Sequence, residues 1–545
     1  MKAGIREKHP SFFILVVILL SILLTSCHKK NTQSQKSFYI LAINDVYRAE
    51  GLDNGQIGGL ARVKTLRQRL LDVGHKVLLL HAGDFLQPSF SSRVNQGAAM
   101  IDIMNQLNGI NSGFDEDMIV TFGNHEFDKS KIKYLPRMQQ RIDESEFTWM
   151  DSNINWLQHE EYGIIHSNKL QKWMIKDIAG IKVGLFSLTT AMTQPQYIAS
   201  FDDPIEVTKH FVPFLKSKGA EVVIALTHQQ ISDDRHILNL DLPYRPDLII
   251  GGHEHYRQLE QVQQNWIVKA DADAASAAVI KVSIDSKKNI YILPSFEELD
   301  KKTEKDPQTQ QVIENWLQST SVKYCQKIKL GENCLDFAYG KTLVELVAEE
   351  SEIRRYETNM GNFIADTARH EFRLCQADIA LINSGSIRLN HNIAAGSNIT
   401  RKHIEGLFPY PSDLKLITIN GKILKKMLAH NIDMWTANGH WLLISGIKYT
   451  HNPEQQKFSQ LRWSKSDQII TDEEKITAIV PQYLIDAKTD HDGYSMINEA
   501  MIKTCNKNGS NLKQLVINSI QNTTDGINPK VDGRICNTLK NNCNK

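Results

Sequence analysis

Six residues of metal-binding type follow apolar runs in this sequence. Asp45 follows Tyr39–Asn44. Asp84 follows Val77–Leu80 through His81-Ala82-Gly83. Asn124 follows Met118–Phe122 through Gly123, and His228 follows Val222–Thr227. His253 and His255 follow Leu248–Ile250 through two glycines. Carboxylates, an amide oxygen and imidazoles together form a donor set for Mn, Fe, Zn or Co. One aspartate shared between two such ions would let the pair clamp an in-line phosphoryl displacement and acidify a bridging water. Each residue alone is weak evidence, because a strand-end aspartate is commonly a turn or cap and a lone histidine commonly a satisfied packing residue. The glycines beside Asp84, Asn124 and His253 permit tight turns and close backbone approach.

These residues converge only if the apolar runs are strands of one layered fold. From Phe38 to about Leu293, short apolar runs (Val183–Leu188 among them) alternate with helical patterns at Ala61–Leu71, Ala98–Leu107 and Pro213–Lys218. That alternation predicts an α/β domain over 37–300, with functional groups gathered at the carboxyl ends of its strands. Residues 301–339 turn polar and read as an interdomain connection. Within it Gln308–Thr320 is helical, with Val312, Ile313, Trp316 and Leu317 on one face. A second α/β segment spans 340–545, with a helix at Gly361–Phe372 and a buried run at Ile379–Ile382. Composition agrees with two globular domains: 545 residues exceed one core, 41% are hydrophobic and 23% charged. The formal charge of +1 leaves no basic footprint, so no nucleic-acid polymer is expected as a partner.

At the level of motifs, Asn44-Asp45, Gly83-Asp84, Gly123-Asn124-His125-Glu126-Phe127-Asp128, Thr227-His228 and Gly252-His253-Glu254-His255 resemble those of calcineurin-like metallophosphoesterases. With the second segment, the chain resembles the bacterial 5′-nucleotidase family. That resemblance implies a four-layer α/β/β/α sandwich plus an α/β 5′-nucleotidase C-terminal domain. It implies two divalent ions, one on Asp45, Asp84 and His255, the other on Asp84, Asn124, His228 and His253. His125 and Asp128 would be the catalytic dyad, in which the imidazolium stabilises transition-state charge and the carboxylate orients the ring. The chain departs from the family at Asp45-Val46-Tyr47, where Asp-x-His is usual. Three roles are open to Tyr47: ligating as phenolate, hydrogen-bonding a metal-bound water, or leaving the first ion one ligand short.

The second segment carries the family's substrate motifs in altered form. Glu352 to Asn362 resembles the start of its C-terminal domain, Asn383-Ser384-Gly385-Ser386-Ile387-Arg388 its NGGIR motif, Phe408-Pro409-Tyr410 its LPF motif, and Tyr483-Leu484 with Asp492-Gly493-Tyr494 its final elements. The resemblance assigns Arg354 and Arg388 to phosphate oxygens, Tyr410 and Tyr483 to a sandwich around the base, Asn383 to a base edge and Asp492 to the ribose. Spacing to Glu357 favours Arg354 over Arg355. The family closes by domain rotation, which would place a hinge near 310–340. The implied function is an exported dimetal phosphomonoesterase that hydrolyses nucleoside 5′-monophosphates by attack of a metal-bound water. The alternatives are a 2′,3′-cyclic nucleotide phosphodiesterase or UDP-sugar hydrolase on the same fold, and a metal- or nucleotide-binding lipoprotein with a partly degenerate site.

The first residues read as an address. Lys2, Arg6 and Lys8 precede an apolar stretch from Phe12 to Leu24, too short to span a bilayer and suited to a signal peptide over 1–26. Leu24-Thr25-Ser26-Cys27 resembles a lipobox, with Cys27 lipidated, 27–36 as tether and the bacterial outer membrane as destination. Cys325, Cys334, Cys375, Cys505, Cys536 and Cys543 could then oxidise, with Cys325/Cys334 and Cys536/Cys543 the easiest local pairs.

Overall fold

The computed structural model describes residues 36–109, 113–191, 194–433, 435, 439–487 and 491–540. The leader, Cys27, the tether up to residue 35 and Cys543 lie outside these residues. Lys36, assigned to the tether, already belongs to the first strand, Lys36–Ile43.

That strand shows how the sequence builds two cores at once. Phe38, Ile40 and Ala42 face one cluster, while Leu41 and Ile43 face another. The alternation places it inside a seven-stranded sheet, in the order Ile290–Glu298, Ser276–Ile284, Lys36–Ile43, Val77–His81, Asp115–Thr121, Phe147–Met150, Leu170–Gln171. A six-stranded sheet runs Gln258–Val262, Asn265–Lys269, Leu248–Gly251, Val222–His228, Ile181–Thr189, Trp173–Ile178. The two sheets share one apolar layer, in which Ile40, Leu78, Leu80 and Ile119 of the first pack with Val183, Leu185, Ile224 and Ile250 of the second. Helices Leu60–Asp72, Ala98–Asn105 and Leu135–Glu144 cover the outer face of the first sheet. Helices Pro204–Ser217 and Ile231–Leu238 cover that of the second. This is a four-layer α/β/β/α sandwich.

The helix expected at Pro213–Lys218 begins nine residues earlier. Asp203 caps it by accepting from the backbone N–H of Ile205 and Glu206, and Pro204 sits in its first turn. Pro213 is an interior residue of a helix held down by Val207, Phe211, Val212 and Leu215, a case of packing overriding a breaker signal.

Helix Pro307–Lys327 packs on the first sandwich through Val312, Ile313, Trp316 and Leu317. Asn95 donates to Thr320 and Trp316 donates to Asp102 (2.7 Å). Beyond it lies a mixed four-stranded sheet, Leu414–Asn420, Lys475–Pro481, Ile379–Asn383, Leu442–Ser445, with helices Asn359–Glu371 and Gly421–Ile432 contributing to its core. A three-stranded sheet and a two-stranded one (Ala338–Lys341 with Asn398–Thr400) also belong to this part. No helix among the described residues is long and apolar enough to cross a membrane.

Disulfides join Cys325 to Cys334, one of the local pairs expected, and Cys375 to Cys505, a pairing that linear spacing did not suggest. The second closes a separation of 130 residues, the first a separation of 9. On chain entropy the long loop is worth about 5 kcal/mol and the short one about 2.6 kcal/mol. Replacing Cys375 and Cys505 together by Ser is therefore expected to lower the denaturant midpoint more than replacing Cys325 and Cys334, as read by urea unfolding.

Candidate metal centre and substrate face

The five strand ends meet. Asp45, Asp84 and His228 are buried and offer ligand atoms within 4.8 Å of one another. Asp45 and Asp84 sit just past their strands with φ of 52° and 60°, a turn that aims both carboxylates back across the sheet edge. Gly123 lies so close that a Cβ there would fall 2.1 Å from Asp84 Oδ1.

Glu126 anchors this edge. Its buried carboxylate accepts from the backbone N–H of Asp84 (2.9 Å), Phe85 (2.8 Å), Leu86 (2.9 Å) and Gly123 (2.6 Å). Burial first, then Asp84, pushes its pKa up to about 7. On the other sheet, buried Lys269 donates to Gln229 O (2.7 Å), Gly252 O (3.0 Å) and Glu254 (2.6 Å), and lies 2.9 Å from Asp234. It ties the loop after His228 to the one carrying His253 and His255. Neither residue was singled out from the sequence. Glu126 was visible only as a letter inside GNHEFD, and Lys269 carries no local signal at all.

The donor atoms face each other in a way that calls for a cation. His228 Nδ1 donates to Ala82 O (2.6 Å), which leaves Nε2 pointing at Asp84 Oδ2 (3.2 Å) and Asn124 Oδ1 (3.2 Å). Asn124 Oδ1 is also 3.1 Å from His253 Nδ1. Ligands on an ion with bonds of about 2.1 Å stand about 3.0–3.4 Å apart, so Asp84, Asn124, His228 and His253 fit one ion. Opposite them, Tyr47 Oη is 3.0 Å from Asp84 Oδ2, 3.4 Å from Asp45 Oδ1 and 3.1 Å from His255 Nε2. His255 Nδ1 faces the Glu350 carboxylate, and in the neutral ring this leaves Nε2 as an acceptor. Three acceptors thus surround one phenol proton, and the surplus of lone pairs fits a second ion. Without a cation, burial lowers and the two aspartates raise the His228 pKa, for a net rise to about 10. Burial also drives the Tyr47 phenol well above its ordinary value, with Asp84 and Asp45 adding to the rise.

His125 stands beside this cluster on a 3-10 turn, Nδ1 bonded to Asp128 Oδ1 (2.9 Å), with its backbone N–H on Asp84 Oδ1 (2.8 Å). Burial lowers its pKa, Asp128 and Asp84 raise it, and the net shift is upward. The second part of the chain reaches the same spot. Arg388 Nη2 lies 3.1 Å from His125 Nε2. Tyr410, read as a base-stacking ring, has its hydroxyl 3.1 Å from His125 Nδ1 and donates to Asp128 Oδ2 (3.2 Å). Arg354 is buried, with Nε and Nη2 making no hydrogen bond among the described residues; Nη2 lies 3.1 Å from Glu350 Oε2 off the bonding direction. Arg355 stacks over Trp435 instead. Asn383 donates to Asp492 (2.6 Å), and its Oδ1 has no partner among the described residues. Tyr483 packs at the margin of the second core.

A four-layer sandwich with carboxylates, an amide and imidazoles at its strand ends defines a metallophosphoesterase. The family model for calcineurin-like phosphoesterases matches residues 38–257, and that for the 5′-nucleotidase C-terminal domain matches 339–499. The chain belongs to the proteins that join these two domains. It is 25% identical over 491 residues to a 5′-nucleotidase of Bos taurus, covering 82% of this chain and 80% of that protein. A trifunctional nucleotide phosphoesterase of Bacillus subtilis is 24% identical over 525 residues; the match takes in 87% of this chain but spans only 33% of that longer protein. The fold is shared with a 5′-nucleotidase precursor of Thermus thermophilus, with a TM-score of 0.73 at 19% identity, covering 92% of this chain and 99% of that one. The protein is thus a metal-dependent hydrolase of the metallophosphoesterase class.

In Gly123→Ala the Cβ would meet both the carboxylate and the backbone nitrogen of Asp84 (2.7 Å), so the variant is expected to displace the loop that carries Asp84. Elemental analysis should find less bound metal, and phosphate release should fall about 100-fold.

Proposed function

We propose that this protein hydrolyses nucleoside 5′-monophosphates to nucleoside and phosphate at a two-ion centre. The observation that carries the reading is the meeting of Arg388 with His125: an arginine suited to phosphate, from one domain, lies against the dyad of the other. Asp45, Tyr47, Asp84 and His255 would hold one ion, and Asp84, Asn124, His228 and His253 the other. Such ions supply an acidified water as nucleophile and Lewis-acid stabilisation of the phosphoryl oxygens.

The chain's own residues do the rest. Arg388 and Arg354 bind the phosphoryl oxygens, Arg354 with a buried Nε–H that has no hydrogen-bond partner among the described residues and Nη2 ion-paired to Glu350 (3.1 Å). His125, oriented by Asp128, delivers a proton to the departing 5′-oxygen. Asn383 and Asp492 face the nucleoside, and Tyr410 with Tyr483 supplies aromatic surface for the base. Tyr410 also borders the dyad, so the base platform and the proton donor are positioned together. The phenol of Tyr47 would serve as a ligand of the first ion, a role supported by its three distances to that ion's other candidate ligands. We also propose export and lipid anchoring through Cys27 to the bacterial outer membrane, a reading supported by the two disulfides, which persist in oxidising compartments.

The test is phosphate release from AMP, a 2′,3′-cyclic nucleotide and a UDP-sugar in competition, with Mn, Zn, Co or Fe added. AMP is expected to be preferred, and no release from any nucleotide by metal-loaded protein sinks the reading. His125→Ala should lower kcat by about 10²–10⁴ with KM little changed. Tyr47→Phe, which removes only the oxygen, should lower retention of one ion about tenfold or more in chelator titration.

A further inference from the structure

The two ion sites are not equally self-sufficient. At the second, the aiming contacts found among the described residues come from the first domain. His228 Nδ1 donates to the Ala82 carbonyl, and the His253 backbone N–H is held by Asp45 Oδ2 (2.9 Å). At the first, the histidine depends on the other domain: the acceptor that His255 Nδ1 finds is Glu350, in the loop-and-helix segment that opens the 5′-nucleotidase domain. Both side chains are buried, with 5% and 3% of their surfaces exposed.

A second contact reinforces the first. Asp273 Oδ1 accepts from the backbone N–H of Tyr47 (2.8 Å) and of Arg48 (2.8 Å), fixing the loop that presents Tyr47. Asp273 Oδ2 accepts from Arg48 (2.9 Å) and from Asn390 of the second domain (3.2 Å). Asn390 Oδ1 in turn accepts from the backbone N–H of Glu350 (3.1 Å). The second domain therefore holds both His255 and the Tyr47 loop, through two neighbouring residues that are themselves bonded.

From this geometry we infer that Glu350 is a positioning residue for the metal centre. It accepts the Nδ1 proton of His255, fixes the ring with Nε2 toward the first ion, and so makes tight retention of that ion depend on the seating of the second domain. The second ion is held by the first domain alone. Carboxylate partners of metal-bound histidines are worth about 10–100-fold in affinity. By linkage, whatever seats the second domain tightens the first ion, and the ion favours the seated arrangement equally. The inference rests on the two-ion reading above but not on the identity of the substrate.

The experiment uses full-length protein without nucleotide. Wild type, Glu350→Ala, Glu350→Asp and Glu350→Gln are loaded with Mn or Zn and dialysed against graded chelator, and ions per chain are counted by elemental analysis. Wild type should hold two ions. Ala removes the acceptor and Asp withdraws it by one methylene, so both should release one ion at about 10–100-fold higher free metal while keeping the other at the wild-type threshold. Gln retains an oxygen acceptor and should stay near wild type. Circular dichroism checks folding, and Asp keeps the test open if Ala unfolds. Two ions retained alike in every variant, or two lost together from folded protein, overturns the inference. A wild type that holds a single ion overturns the two-ion reading instead.

Discussion

Two buried carboxylates, Asp45 and Asp84, face one another across the edge of a sheet with imidazole lone pairs turned toward them. Such an arrangement is costly without a compensating positive charge, because burial strips the carboxylates of water and leaves repulsion between acceptors. Everything around the site serves to hold that unfavourable cluster in place until ions offset it. Left to protons alone, the cluster would charge His228 and drive the phenol of Tyr47 further from ionising. A divalent ion replaces those protons with a larger, fixed charge.

The holding is done by residues that never touch an ion. Glu126 gathers four backbone N–H groups from two loops and makes one rigid piece of the segments bearing Asp84 and Asn124. Lys269 does the same for the six-stranded sheet, buried between Asp234 and Glu254. Removing Glu126 would leave four backbone N–H groups without their acceptor, and removing Lys269 would strand two buried carboxylates. The sandwich thereby presents its candidate ligands on strand ends, while the second domain brings Glu350, Arg388 and Tyr410 against them.

The domains also meet away from the metals, where Glu405 accepts from Arg93 (2.7 Å) and from Tyr324 (2.8 Å). Helix Pro307–Lys327 stays with the first domain through its apolar face. A hinge between the domains therefore has no place within that helix. The region near 310–340 that the sequence suggested as a hinge is largely a packed helix.

Much of this was legible in the chain. Strands such as Val77–His81 and Leu248–Gly251 follow from short apolar runs closed by glycine, and the ligands were named because their types recur directly after such runs. The pairing of His125 with Asp128 came from the family resemblance of the GNHEFD motif, and the structure places the two side chains 2.9 Å apart. Cys375 and Cys505, Glu126, Lys269, Asp273 and Glu350 could not be found that way. Each acts on a partner remote in sequence or on backbone groups that carry no letter of their own. The sequence by itself determined which atoms could bind metal and in what order the strands would deliver them, because periodicity and residue type are local. Only the tertiary structure decided that Tyr47 points into the first ion's ligands, that Tyr410 borders the dyad, and that a carboxylate of the second domain aims a histidine of the first. Those are facts of distance between separately folded segments, and distance is set by packing rather than by spacing along the chain.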